Sequence, residues 1–305
     1  MRQKILDFLE SRIDALKHKD KDKDEMRKTA SEIFNESTLN TLYRMLSGGV
    51  FDTLEFPIST GKEANVFRGT KGEGFVAVKI FRVATATFHS LSKYIVGDPR
   101  FKGIARDRRA LISTWARKEF KNLERMRKAG VRVPEPLGCK DNVLVMEYIG
   151  SEERAAPMLR ELEPEPEELK KIRDDVVDFL RLAYTRARLV HGDLSEYNIL
   201  IHNGETVVID LGQAVVLEHP MAQELLTRDL KNIALYFTRR GLPLDWKALR
   251  SELTEGPWER EGGSGRSGNV RHMPPKAPTP TRAELAPSAA PEHDGATGVA
   301  GGEEE

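Results

Sequence analysis

The sequence predicts an α+β fold in two halves, a strand-rich half carrying one long helix and then a helix-rich half. Three observations predict it. Between residues 51 and 82, short runs rich in Val, Phe and Ile alternate with glycine-bearing turns. From 167 onward helical periodicity dominates, broken by one strand–loop–strand at 189–210. Residues 150–166, acidic and proline-bearing, join the two halves. The chain has 305 residues, enough for one two-lobed domain with a sizeable core.

The elements follow in order. Ile5, Leu6, Leu9, Ile13 and Leu16 fall at helical spacing and predict an amphipathic helix over 4–18. The alternating charges at 17–28 read as a solvated face or linker. A second helix, 31–46, ends at Gly48-Gly49. Residues 1–49 are thus expected to be a helical extension. Strands are predicted at 51–57, 64–68 and 75–82. Residues 83–107 show no clear period, and a connection of that length is usually functional or mobile. A strong helix over 106–129 stops at Gly130, and 131–137 and 142–149 read as extended. The second half, 150–255, holds a helix at 167–188, the strand–loop–strand, and helices at 221–240 and 245–253. After Gly256 the chain is rich in Gly, Pro and Ala and nearly free of large apolar residues. Such a tail cannot offset its ordering entropy, so 256–305 is expected to be disordered.

Composition narrows the function classes. Lys plus Arg number 48, as do Asp plus Glu, so no global charge points to nucleic acid. The single cysteine, Cys139, permits no internal disulfide and fits a reducing compartment. The first residues have no uninterrupted apolar core or cleavage site of a signal peptide. No apolar run is long enough to cross a bilayer. A cytoplasmic protein is expected.

The chemistry concentrates in LVHGDLSEYNILI and TVVIDLG. Two adjacent strands there would bring Asp193, Asn198 and Asp210 together at one end. Phosphoryl transfer needs a carboxylate that orients the attacking hydroxyl and accepts its proton, together with hard oxygen ligands for Mg²⁺ (or Mn²⁺). Asp193 fits the first role, Asn198 and Asp210 the second. Asp-x-x-x-x-Asn followed by Asp-Leu-Gly has the order and spacing of a kinase site. Upstream, Val76-Ala77-Val78-Lys79 ends an apolar strand in a lysine suited to gripping ATP phosphates. Glu119, beside the apolar face of the long helix, is its expected partner, with Glu124 as a second candidate. A turn from Ser59 through Thr60, Gly61, Lys62 and Glu63 to Val66 lies where a phosphate-covering loop belongs, and its amides could cradle phosphate. The strand at 144–149 would be the hinge, with Met146 behind the adenine and backbone groups of Glu147 and Ile149 bonding it.

As a set, STGKEANVF, WARKEF, LVMEYIG, LVHGDLSEYNILI, IDLGQAV and HPMAQELLTRDLKNI resemble the RIO kinases, type-one branch, over about residues 35–255. Residues 1–50 are too few for the winged-helix domain of the type-two branch. The resemblance implies a two-lobed protein-kinase-like fold with an antiparallel-sheet N-lobe, a reduced helical C-lobe and no activation loop. The sequence agrees: only 211–220 separate Asp210 from the next helical pattern, and Gly192 stands where ordinary protein kinases carry Arg. The resemblance also implies ATP hydrolysis, a phosphoryl-aspartate on Asp210 and autophosphorylation on serine, with Ser90, Ser92 and Ser113 as candidates. It implies an insert at 83–107 that reaches the active site, and Asp229 as a brace of the catalytic loop. Its biology is maturation of the small ribosomal subunit, with rRNA and ribosomal proteins as partners. Phe67 departs from the family's frequent Tyr. Two alternatives stay open: a small-molecule phosphotransferase, which would need more chain after Asp193, and a nucleotide-switched assembly factor whose phosphotransfer is incidental.

Overall fold

Among the described residues, the chain opens with two short helices, α1 (Arg2–Arg12) and α2 (Glu36–Ser47). Leu9, Ile13, Leu42, Met45 and Leu46 are buried together on one side of a sheet, against Phe51, Leu54, Phe67, Val78 and Val145. The computed structural model describes residues 2–13, 33–83, 88–101 and 107–256. Leu16 and the alternating charges at 17–28 lie outside the described residues. α2 begins later than the periodicity suggests because Asn35 caps it, accepting the Thr38 amide at 3.0 Å.

β1 (Thr53–Thr60), β2 (Ala64–Lys71) and β3 (Gly74–Phe81) form an antiparallel meander. Thr60 pairs with Asn65, so Ser59 and Thr60 belong to β1 and the predicted turn shrinks to 61–63. A further difference falls in the insert. Leu91, Tyr94 and Ile95 are buried on one face of α3 (Phe88–Ile95), where no period was read. The Tyr94 ring lies 5.9 Å from that of Trp115. Ser92 is buried on the same helix. Residues 84–87 and 102–106 lie outside the described residues, so the expected reach of the insert to the site falls partly on them. The long helix, α4 (Arg108–Lys128), is capped by Asp107, which accepts the Ala110 amide at 2.9 Å. β4 (Pro136–Lys140) and β5 (Val143–Glu147) complete a five-stranded sheet ordered β1-β2-β3-β5-β4. β3 is central, which is why its run of apolar residues is buried on both faces.

The second half starts with a 3₁₀ turn, Leu159–Glu161, and α5 (Pro166–Thr185), whose proline sits in the first turn. β6 (Leu189–Val190) pairs with β9 (Val215–Val216), and between them β7 (Ile199–His202) and β8 (Glu205–Val208) make a hairpin. α6 (Ala222–Arg239) and α7 (Trp246–Glu255) close it. Leu111, Trp115, Leu123 and Met126 of α4 share one core with Ile172, Val176 and Leu180 of α5 and Leu226, Leu230 and Phe237 of α6. α4 therefore belongs to both halves, and the site lies beside it. Residues 257–305, where a disordered tail is expected, lie outside the described residues. Among the described residues no helix is long and apolar enough to cross a membrane.

Candidate active site

Lys79 sits in β3, opposite Val66 on one side and Leu144 on the other. This register buries its stem and aims its ammonium at α4. Nζ donates to both carboxylate oxygens of Glu119, at 2.8 and 2.9 Å, and to Oδ1 of Asp210 at 3.0 Å. Glu119, rather than Glu124, therefore meets the lysine. Burial and the nearby Asp210 push the Glu119 carboxyl up to about 7 against the pull of Lys79. Burial acts to lower Lys79, but Asp210 and Glu119 together hold it raised and charged. Breaking such a buried pair from one side costs roughly 3–5 kcal/mol.

The loop between β6 and β7 carries Asp193 and Asn198. Asp229 of α6, fully buried, accepts the Gly192 amide at 2.7 Å and the Leu194 amide at 2.9 Å. Gly192 has φ +80°, and a Cβ there would lie 3.0 Å from the Gln213 carbonyl oxygen, so only glycine fits. His191 is buried between two backbone groups. Nδ1 accepts the Asp193 amide at 3.2 Å, so Nε2 carries the proton and donates to the Ile209 carbonyl at 3.0 Å. Burial pushes its pKa down to about 4. The Asp193 carboxylate faces the cleft, accepting from Gln213 Nε2 at 3.1 Å, with Arg228 at 3.9 Å. Burial lifts it above the usual carboxylate range; Arg228 pulls down and Asp210 lifts it further. An upward shift suits a group that must accept a proton.

Asn198 and Asp210 meet at one end of the β7–β8 hairpin, where the Ile209 amide donates to the Asn198 carbonyl at 2.9 Å. Asn198 Nδ2 donates to the Asp193 carbonyl at 2.8 Å, which leaves Oδ1 as its oxygen donor. Asp210 adopts φ +61°, a left-handed conformation that Asp tolerates better than most residues but that is costly to hold. Burial acts to raise its carboxyl, and Lys79 holds it below the usual range. Its side chain is 49% exposed to the cleft, so a cation can reach it. One carboxylate and one amide oxygen fit a hard cation that completes its shell with phosphate oxygens and water. Among the described residues no group of three or more His, Cys, Asp or Glu gathers into a protein-only cage.

Behind Asp210, the carbonyls of Leu211, Gly212 and Ala214 turn toward α4. Lys118 Nζ donates to the Gly212 carbonyl at 2.9 Å and to that of Ala214. Asn122 Nδ2 donates to the carbonyls of Leu211 and Ala214, both at 2.9 Å. Both side chains are fully buried. Burial pushes Lys118 down to about 7.

At the hinge, Met146 pairs with Ala77 and Glu147 with Val76. The Glu147 carboxylate binds Arg132 with two bonds, at 2.8 and 2.9 Å. Arg132 also reaches Glu205 on β8 at 3.3 Å, so one guanidinium ties the hinge to the second half. The Ile149 carbonyl accepts the Ala156 amide at 2.9 Å. Over the site, Gly61, Lys62 and Glu63 are exposed. The Glu63 carboxyl is raised by partial desolvation and by Asp210, with Lys79 opposing and Asp193 adding to the rise, so the turn hangs within electrostatic reach of all three.

Residues 65–249 match the RIO domain family. This chain belongs to the RIO kinase family. The RIO-type serine/threonine-protein kinase Rio1 of Haloferax volcanii is 44% identical over 249 residues, covering 78% of this chain and 84% of that one. Its counterpart from Methanocaldococcus jannaschii is 40% identical over 228 residues, covering 74% and 77%. The human serine/threonine-protein kinase RIO1 is 36% identical over 219 residues, covering 71% of this chain and 39% of that one. A crystal structure of the Rio2 kinase-ADP/Mg²⁺-phosphoaspartate complex from Chaetomium thermophilum superposes with a TM-score of 0.55 at 20% identity, covering 76% of each chain. The fold is thus the two-lobed protein-kinase fold. In this RIO kinase only 211–221 separate Asp210 from α6, which leaves no room for an activation loop. Sequence reasoning did not find Lys118, Asn122, Arg132, Gln213 or Arg228. Their partners are mostly backbone carbonyls or residues far along the chain, which no local spacing encodes.

Proposed function

We propose that this chain transfers the γ-phosphoryl group of ATP to serine or threonine hydroxyls, its own among them, and hydrolyses ATP. The observation that carries this reading is the Lys79 ammonium, which bridges Glu119 on α4 and Asp210 beside the catalytic loop. Lys79 would grip the α- and β-phosphates, held in place by Glu119. Asn198 Oδ1 and the Asp210 carboxylate would hold Mg²⁺ or Mn²⁺, which when bound neutralises charge on the phosphate oxygens. Asp193, oriented by Gln213 and Arg228, would accept the proton of the attacking hydroxyl. Adenine would lie against Met146, bonding the backbone of Glu147 and the Ile149 amide. The turn from Ser59 to Glu63, with Val66 beneath, would cover the phosphates.

Asp210 also supports a second acceptor. Its carboxylate oxygen would attack the γ-phosphorus as the bond to ADP breaks, and water would later release phosphate. The Chaetomium Rio2 complex bears a phosphoaspartate, which favours this route. The biological setting we propose is cytoplasmic maturation of the small ribosomal subunit, with rRNA and ribosomal proteins as partners. Family membership weighs against a small-molecule phosphotransferase.

Labelling with radioactive ATP tests the chemistry. The expected label divides into a base-labile acyl phosphate lost in Asp210→Asn and an acid-stable phosphoserine lost in Asp193→Ala. A label unaffected by either substitution would sink the assignment. Complementation of small-subunit maturation by Asp193→Ala in the source cell tests the biology. Full rescue by a variant without turnover would leave only an assembly factor.

A further inference from the structure

Lys118 stands out among the buried polar groups that the proposed mechanism does not use. An ammonium on α4, one residue before Glu119, is fully buried with no carboxylate at ion-pair distance among the described residues. Its partners are the carbonyls of Gly212 and Ala214, and it lies 5.4 Å from the Trp115 ring. A methionine would fill the same space without the desolvation that a charge incurs. What methionine lacks is donors. Asn122, one turn on, donates to Leu211 and Ala214, so three carbonyls in the four residues after Asp210 are taken by two side chains.

The approach is close. A Cβ on Gly212 would lie 3.1 Å from Trp115 and 3.2 Å from the Glu119 carboxylate, so any side chain there would have to push those buried groups aside by a few tenths of an ångström. The clasp extends into the insert. Asn122 Oδ1 accepts from Arg100 Nη1 at 2.9 Å. Arg100 is gripped by Asp98, with bonds at 2.9 and 2.7 Å. Nearby, the Val96 carbonyl accepts from His219 at 2.8 Å, beyond the far end of the same segment.

We infer that Lys118 and Asn122 are positioning residues that hold Asp210 in its strained, cleft-facing conformation, and that Arg100 of the insert secures Asn122. The inference rests on the proposed role of Asp210 toward the cation and the γ-phosphate. A left-handed aspartate persists only where its surroundings over-determine it, and 211–214 are those surroundings. The clasp grips the backbone where ordinary kinases begin an activation loop, so α4 and the insert supply the order that such a loop would otherwise bring.

The test compares Lys118→Met and Arg100→Lys with the parent protein. The first keeps volume and removes the donors; the second keeps a cation beside Asp98 and removes the arm to Asn122. Three quantities are read: the Mg²⁺ concentration for half-maximal ATP turnover, ADP affinity without Mg²⁺, and the melting temperature. Outer-shell supports of a metal site are typically worth about 10–100-fold in metal affinity. Lys118→Met is expected to raise the Mg²⁺ requirement by about tenfold and Arg100→Lys by about threefold on that scale. ADP affinity without Mg²⁺ should stay within about twofold. An unchanged Mg²⁺ requirement in a folded variant overturns the inference, and so does metal-free ADP affinity falling in step with it. If Lys118→Met does not fold, Arg100→Lys decides alone by the same criteria. Asp210→Asn separates the two levels of the argument. If it leaves the Mg²⁺ requirement unchanged, the reading of Asp210 fails; if it raises the requirement and the clasp variants do not, only the clasp fails.

Discussion

The same lysine holds two carboxylates, and burial decides how they share it. Glu119 is enclosed by α4 and β3 and binds with both oxygens, whereas Asp210 binds with one and faces the cleft. Asp210 is thus the partner left open to the cleft, as the proposed exchange of Lys79 for a cation requires. Replacing Glu119 with Gln should lower unfolding free energy by about 3 kcal/mol, since Lys79 loses its buried counter-charge; denaturant titration measures this. Asp193→Ala should reduce phosphoryl transfer by about 10²–10⁴-fold, the usual worth of a general base, with little change in nucleotide affinity. A large loss of ATP binding in that variant would contradict its role. His191 makes a further prediction. Its pKa is depressed, so the folded state binds fewer protons than the unfolded state between about 4 and 6.5, and stability falls as pH drops through that range. Imidazole resonances of His191 should show the neutral Nε2–H form at pH 5.5. A titration midpoint near the ordinary histidine value would refute the burial argument. Asp229, which the family resemblance names as a brace of the catalytic loop, meets two amides of that loop 35 and 37 residues away, a pairing that no local spacing encodes.

At the scale of elements, α4 and the hinge govern how the halves meet. Arg132 joins β5 to β8 through Glu147 and Glu205. It is a partly exposed ion pair, so its worth to stability is about 1 kcal/mol or less. Its larger effect should be on hinge geometry. Arg132→Ala is expected to raise KM for ATP about threefold while kcat changes little, the pattern of lost uniform binding. Steady-state kinetics at varied ATP would show it, and a fall in kcat with KM unchanged would assign Arg132 a different part. The N-terminal helix is another such element. Ile13 is fully buried and bridges to Leu54 of β1. Ile13→Ala should cost about 2–5 kcal/mol by opening a cavity between α1 and the sheet.

For the whole molecule, one apolar face of α4 serves both halves. Trp115, Leu123 and Met126 pack with residues of α5 and α6, while Glu119 and Lys118 on the same helix serve Lys79 and the segment after Asp210. The lobes should therefore unfold together. Calorimetry should give one transition for the described domain, and two well-separated transitions would mean that α4 does not couple them.

Much of this was determined by sequence alone. Strand and helix periodicities marked the two halves, and motif spacing picked out Lys79, Asp193, Asn198 and Asp210, because residues close along the chain set local geometry. The spacing of Leu91, Tyr94 and Ile95 was legible too, but Ser, Thr, Gly and basic neighbours masked the helix it forms. Tertiary structure alone decided the rest. It confined the phosphate turn to 61–63, and brought Lys118, Asn122, Arg132, Gln213 and Arg228 to their partners. Arg132, Gln213 and Arg228 meet carboxylates that lie far along the chain, and for Lys118 and Asn122 the reason is the backbone itself. A backbone carbonyl is the same acceptor at every residue, so only the folded chain determines which one a buried donor will find.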